Sequence, residues 1–129
     1  MAKILLVEDN THNQNLFLTT LRHHGHLVSL AEDGEQALKL FSEQSFDLIL
    51  LDLSIPKIDG WTVAQRIRSS EEQQDNGHAI TIIALTAHAM RGDKERALKA
   101  GCNDYLSKPV SPRELARRVK SLVGVPSAA

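Results

Sequence analysis

Three short runs, KILLV at 3–7, FDLILLD at 46–52 and ITIIALT at 80–86, are nearly continuous in aliphatic residues. A strand with one dry face alternates apolar and polar positions, whereas a strand apolar throughout has to be covered on both faces. Strands of the second kind belong to parallel sheets that lie between two layers of helix. These three runs are therefore expected to be the central strands. Two weaker runs, His26 to Ala31 and Asp104 to Ser107, complete a set of five. Asn15 to His24, Gly34 to Glu43, Trp61 to Ser69, Arg91 to Ala100 and Pro112 to Val123 carry apolar residues at three- and four-residue spacing, the period of a helix with one buried face. This alternation predicts five β-α units in an α/β domain, a three-layer α/β/α arrangement around one parallel sheet.

Local signals fix the ends of these elements. Gly25 and Gly101 follow helices where a left-handed cap is wanted. SPRE at 111–114 joins an N-cap serine, a proline at the first helical position and a glutamate three residues after the cap, so the last helix starts at about Pro112. The polar stretch SSEEQQDNGHA at 69–79 is expected to be a flexible surface loop, and residues 125–129 a flexible tail to a single domain at 1–124. A chain of 129 residues that is 42% hydrophobic is long enough for one good core and too short for a multidomain enzyme. Fifteen basic residues against sixteen acidic ones give no electrostatic footprint for nucleic acid. The lone Cys102 cannot close an internal disulfide, and the apolar stretch from Ile4 to Val7 is too short for a signal peptide or a membrane span. A soluble, cytoplasmic protein with no membrane partner is expected.

In an open parallel sheet the ligand site lies beyond the C-terminal ends of the strands. Glu8 and Asp9 end the first strand, Asp52 the third and Thr86 the fourth, and the fifth runs into Lys108 and Pro109. Any one polar residue there is explained by the chain re-entering water. Three carboxylates gathered beside a partly buried edge are different, because they repel one another unless a cation neutralises them. Oxygen ligands without Cys or His among them suit magnesium better than zinc. A carboxylate beside magnesium can act as a nucleophile toward a phosphoryl group, with the metal and a fixed lysine neutralising charge on the transferring oxygens. Asp52, with Lys108 and the Thr86 hydroxyl on neighbouring strand ends, is assigned as the phosphorylated residue.

LVEDN at 6–10, LLDLSIPKIDG at 50–60, ALTAHA at 84–89 and YLSKP at 105–109 occur in this order across about 120 residues. Together they resemble the receiver domain of two-component response regulators. The resemblance implies a flavodoxin-like sheet in the order 2-1-3-4-5. It implies that Asp52 becomes a 4-aspartylphosphate by taking phosphate from a histidine kinase or a histidine phosphotransfer protein. Magnesium, for which manganese may substitute, would be bound by Asp9, Asp52 and the backbone carbonyl of Ser54, with Glu8 acting through a water. Lys108 would pair with a phosphoryl oxygen, and its bond to Pro109 would be cis. Thr86 would hydrogen-bond the phosphate, and Tyr105 would be an aromatic switch whose ring turns inward as Thr86 moves. The fourth helix, fifth strand and fifth helix would then report the state to a protein effector. Such a domain is a signalling phosphoacceptor rather than an enzyme, catalysing only its own phosphorylation and dephosphorylation, as a monomer or a weak phosphorylation-dependent dimer.

Some residues depart from the common pattern or stand outside it. Ile55 occupies a position where many receivers have Met, a volume-conserving change. Ser54 and His88, two residues beyond Asp52 and Thr86, are expected to tune the phosphate lifetime more than the fold. His23, His24 and His26 lack the spacing of a closed metal-ligand set and fit a helix C-terminus instead. Trp61 reads as a packing residue and a fluorescent reporter near the site, and Cys102 as no redox centre. An aspartyl phosphatase would need a second acid where Ser54 stands. A flavodoxin-like cofactor site is disfavoured by the acidic, glycine-free loop EDNTHN at 8–13. The methionine just before the first strand favours a stand-alone response regulator; the alternatives are a receiver of a hybrid histidine kinase, which ALTAHAM at 84–90 resembles, and a phosphate-independent docking module.

Overall fold

A computed structural model describes residues 2–74, 80–86 and 92–123. In chain order the elements are β1 (Lys3–Val7), α1 (Thr11–His23), β2 (Leu27–Ala31), α2 (Gly34–Glu43), β3 (Leu48–Asp52), α3 (Gly60–Gln74), β4 (Thr81–Thr86), α4 (Asp93–Ala100), β5 (Asp104–Ser107) and α5 (Pro112–Val123). The five strands are parallel in the order β2-β1-β3-β4-β5. The three most apolar runs are the three central strands, and every residue of β3 is buried.

Strand parity divides the core in two. Ile4 and Leu6, Leu48 and Leu50, and Ile83 and Leu85 face one side, where they pack with Phe17 and Leu21 of α1 and with Leu115 and Val119 of α5. Leu5 and Val7, Ile49 and Leu51, and Ile82 and Ala84 face the other, beneath Ala37 of α2, Val63 and Ile67 of α3, and Ala97 of α4. Burying each such aliphatic side chain stabilises the fold by roughly 1.5–3 kcal/mol, so both helical layers are held to the sheet.

Two helices extend further than apolar periodicity indicates. α1 begins at Thr11, a turn before Asn15, because the Asn10 side chain caps it by accepting from the Asn13 N–H at 3.0 Å. α3 runs on to Gln74, so the expected surface loop at 69–79 is helical at least over 69–74. Glu and Gln are good helix formers, and no breaker stands before residue 75. The remaining boundaries shift by two residues or fewer, and Arg91, His88 and the expected tail at 125–129 lie outside the described residues.

The turn that follows β3 is held by two glycines at close approaches. A Cβ on Gly60 would lie 2.6 Å from Leu53 Cα and 2.8 Å from the Asp52 carbonyl oxygen, so only glycine lets α3 start against the end of β3. A Cβ on Gly34 would meet the Ile58 carbonyl oxygen at 2.2 Å. Between these contacts Lys57 adopts a left-handed φ of 69° and pairs with Asp33 at 3.5 Å and Glu35 at 3.8 Å, tying the turn to the start of α2.

Candidate functional site

Register gathers the polar groups. Glu8 continues the parity of Ile4 and Leu6, and Asp52 that of Leu48 and Leu50. Lys108 continues the parity of Leu106. Backbone bonds prolong the ladder to hold these ends: Glu8 N–H to the Ala31 carbonyl at 3.0 Å, Leu53 N–H to the Leu85 carbonyl at 2.9 Å, and Lys108 N–H to the Thr86 carbonyl at 2.7 Å. Thr86 stands one step beyond Leu85, the partner of Asp52, and so belongs to the opposite parity. Tyr105, partner of Ala84, shares that parity and packs half-buried against the core beneath α2, α3 and α4.

Lys108 Nζ bridges two carboxylates. It lies 2.8 Å from Glu8 Oε1 and donates to Asp52 Oδ2 at 2.9 Å. Glu8 is fully buried, and Asp52 and Thr86 nearly so. Asp52 Oδ1 accepts from the Ser54 N–H at 2.9 Å, and Glu8 Oε2 accepts from the Asn10 N–H at 3.1 Å. Exposed Asp9 joins the two buried carboxylates: one carboxylate oxygen each from Glu8, Asp9 and Asp52 lies within 4.8 Å of the others. The Lys108–Pro109 bond is cis.

Among the described residues the charges at this edge are unbalanced: three carboxylates meet one ammonium. Burial pushes the Glu8 carboxyl above its ordinary value; the bond from Lys108 opposes this and the Asp52 charge adds to it. Burial also disfavours charge on Lys108, yet its bonds to Glu8 and Asp52 outweigh that and hold the ammonium above the usual lysine value. Glu8 Oε1 has the Lys108 ammonium 2.8 Å away as its partner. One ammonium leaves the carboxylate charge of the cluster in excess, a repulsion that is costly beside a buried edge and that a hard divalent cation would offset. Oxygen donors alone make up the cluster, as magnesium prefers.

The structure thus brings Glu8, Asp9, Asp52, Lys108 and the Ser54 amide together, with Thr86 at the adjoining strand end. Two supporting residues escaped sequence reasoning. Asn10 reads as an ordinary helix cap but also donates its N–H to Glu8. Gln14 is buried and donates its amide to the Glu8 carbonyl at 2.7 Å. Its signal was the spacing 14, 17, 21, which puts a polar side chain on the same helical face as Phe17 and Leu21. Trp61 is a packing residue, half-buried against the core, with the Arg96 guanidinium 4.2 Å above its ring. His24 caps α1 and hydrogen-bonds the Thr20 carbonyl at 2.9 Å, and His26 accepts from the Ala2 N–H at 3.1 Å.

A doubly wound parallel sheet with this acidic edge defines a flavodoxin-like domain suited to holding a divalent cation beside a carboxylate. The model of the response regulator receiver domain matches residues 4–120, and the chain belongs to that family. It is 36% identical over 121 residues to the polar-differentiation response regulator DivK of Brucella ovis, covering 94% of this chain and 95% of the relative. Two hybrid signal transduction histidine kinases of Dictyostelium discoideum, I and M, are each 43% identical, and the chain spans only 7% and 5% of their lengths. Among solved structures, the receiver domain of sensor histidine kinase PA1611 from Pseudomonas aeruginosa PAO1 is 44% identical with a TM-score of 0.84, covering 95% of this chain and 98% of that one. That structure has a magnesium ion coordinated in its active-site cleft. The Saccharomyces cerevisiae Ssk1 receiver, crystallised with the histidine phosphotransfer protein Ypd1, is 36% identical with a TM-score of 0.88, covering 93% of this chain and 87% of that one. Among the described residues no helix is long and apolar enough to cross a membrane.

Proposed function

We propose that Asp52 accepts a phosphoryl group from a phosphohistidine on a histidine kinase or a phosphotransfer protein. The observation that carries this is the Lys108 bridge between Glu8 and Asp52, set in a cluster of three carboxylates. An Asp52 oxygen attacks phosphorus as the N–P bond breaks, and the donor imidazole leaves with the bonding pair and takes up a proton. Ser54 N–H steadies the other carboxylate oxygen, and Lys108 transfers its pairing from Asp52 to a phosphoryl oxygen. Asp9, Asp52 and the Ser54 carbonyl would hold magnesium or manganese, with Glu8 acting through a water. The bound ion supplies positive charge against the phosphoryl oxygens.

Once phosphate is present, the Thr86 hydroxyl donates to it and Tyr105 turns inward, changing the surface made by α4, β5 and α5. The signal leaves through an effector that binds this surface, in the cytoplasm. Hydrolysis of the acyl phosphate resets the domain, with Ser54 and His88 tuning its lifetime. The boundaries 1–124 enclose all of this machinery. The same chemistry serves a free-standing regulator and a receiver within a hybrid kinase, and relatives of both kinds match the chain.

Intact mass after incubation with acetyl phosphate tests the reading. One added phosphoryl group that requires both magnesium and Asp52 supports it. An adduct that persists in Asp52→Asn, or none in the wild type, overturns it.

A further inference from the structure

We propose that a groove along α5 docks an acidic amphipathic helix of a protein partner. The groove has a volume of about 530 Å³ and is lined by Pro112, Arg113, Ala116, Arg117 and Lys120 of α5 and by His24 at the end of α1. It is remote in character from the acidic strand edge and stands whether or not Asp52 accepts phosphate.

Charge is segregated toward this layer. α1 and α5 together hold five basic residues and one acidic residue, while the rest of the chain holds ten and fifteen. The acidic residue, Glu114, pairs with both Arg117 and Arg118. Arg113 and Lys120 are exposed and have no acidic partner among the described residues. A basic face on a chain of net charge −1 is therefore a local feature and not a by-product of overall charge.

Spacing selects the occupant. Arg113, Arg117 and Lys120 stand at i, i+4 and i+7, so they form one stripe along α5 about 10 Å long. Pro112 and Ala116, also four apart, supply an apolar floor beside it. Carboxylates at i, i+4 and i+7 on a partner helix reproduce the same stripe with opposite sign, and small apolar side chains between them fit the floor. A compact anion would instead need cations that converge on one point. His24 Nδ1 donates to the Thr20 carbonyl, leaving Nε2 as the ring nitrogen for a ligand.

The test uses the ¹⁵N-labelled full chain and a designed helical peptide with Glu at i, i+4 and i+7 and Ala and Leu between, against the same peptide with Gln for Glu. Amide shifts should map to α5 and the end of α1. Arg113→Glu with Lys120→Glu should weaken binding by about tenfold or more, as should the Gln peptide, because exposed charge pairs of ordinary strength are lost or reversed. Circular dichroism and the milder Arg113→Ala with Lys120→Ala variant separate lost contacts from lost fold. Shifts that are absent, that fall elsewhere, or that ignore charge reversal overturn the proposal. So does tighter binding of duplex DNA or of phosphatidylserine vesicles to the same stripe.

Discussion

Replacing Lys108 with Met removes the one ammonium from a site of three carboxylates and keeps most of the side-chain volume. The Nζ that is lost lies 2.8 Å from Glu8 and 2.9 Å from Asp52, and these carboxylates are 0% and 4% exposed. Taking away one partner of a buried ion pair leaves an uncompensated charge and costs about 3–5 kcal/mol. For a domain of this size that lowers the melting temperature by about 10–20 °C. Urea and thermal unfolding in the presence of a chelator measure the loss. Glu8→Gln with Lys108→Met should be more stable than Lys108→Met alone, since Glu8→Gln removes a charge that Lys108→Met leaves unpaired. The pH dependence has a definite sign. Glu8 is held above its unfolded value, so its contribution to stability is present at acid pH and is lost as pH rises through the folded value. Losing Lys108 should steepen that loss. A cost below about 1 kcal/mol, far under the buried-pair range, or a double variant no more stable than the single one, would refute the picture of a lysine neutralising a buried acidic cluster.

Three further outcomes are expected. The Gln36 N–H, helped by Lys57 and opposed by desolvation, holds the Asp33 carboxyl below the usual range, so its stabilisation is present above the unfolded value and fades as pH falls below about 4; acid titration of stability should be shallower for Asp33→Asn than for the wild type. Burial pushes the Cys102 thiol up to about 11, against a slight opposing effect of Arg68. Its thiolate fraction at pH 8 is then about 0.1%, against about a quarter for a free thiol, and iodoacetamide should label the native chain at least about 100-fold more slowly than the urea-unfolded chain. Gly60→Ala should destabilise the domain by about 1–3 kcal/mol in urea unfolding, because its Cβ would press on Leu53 and the Asp52 carbonyl.

Most of the sheet was legible because buried parallel strands leave little choice of residue: KILLV, FDLILLD and ITIIALT admit no polar face. Their C-terminal ends, with that of the weaker fifth run, then located Glu8, Asp9, Asp52, Thr86 and Lys108 without any distance. The strand order came from family resemblance, since apolar runs do not encode which neighbour they pair with. Local periodicity failed where polar residues form helix. Thr11 to Gln14 show no apolar repeat, and the cap by Asn10 is one hydrogen bond that competes with other turn conformations. The roles of Gln14 and of the Gly60 and Gly34 contacts depend on tertiary approach, to which a single sequence gives only the hint of a polar residue in an apolar stripe or a glycine near a turn.

The most direct test of Asp52 as the acceptor is borohydride trapping after acetyl phosphate and magnesium. Reduction of an acyl phosphate converts the carboxyl to an alcohol, so peptide mapping should find homoserine at position 52 and nowhere else. Homoserine at Asp9, at another carboxylate, or at none would contradict the account.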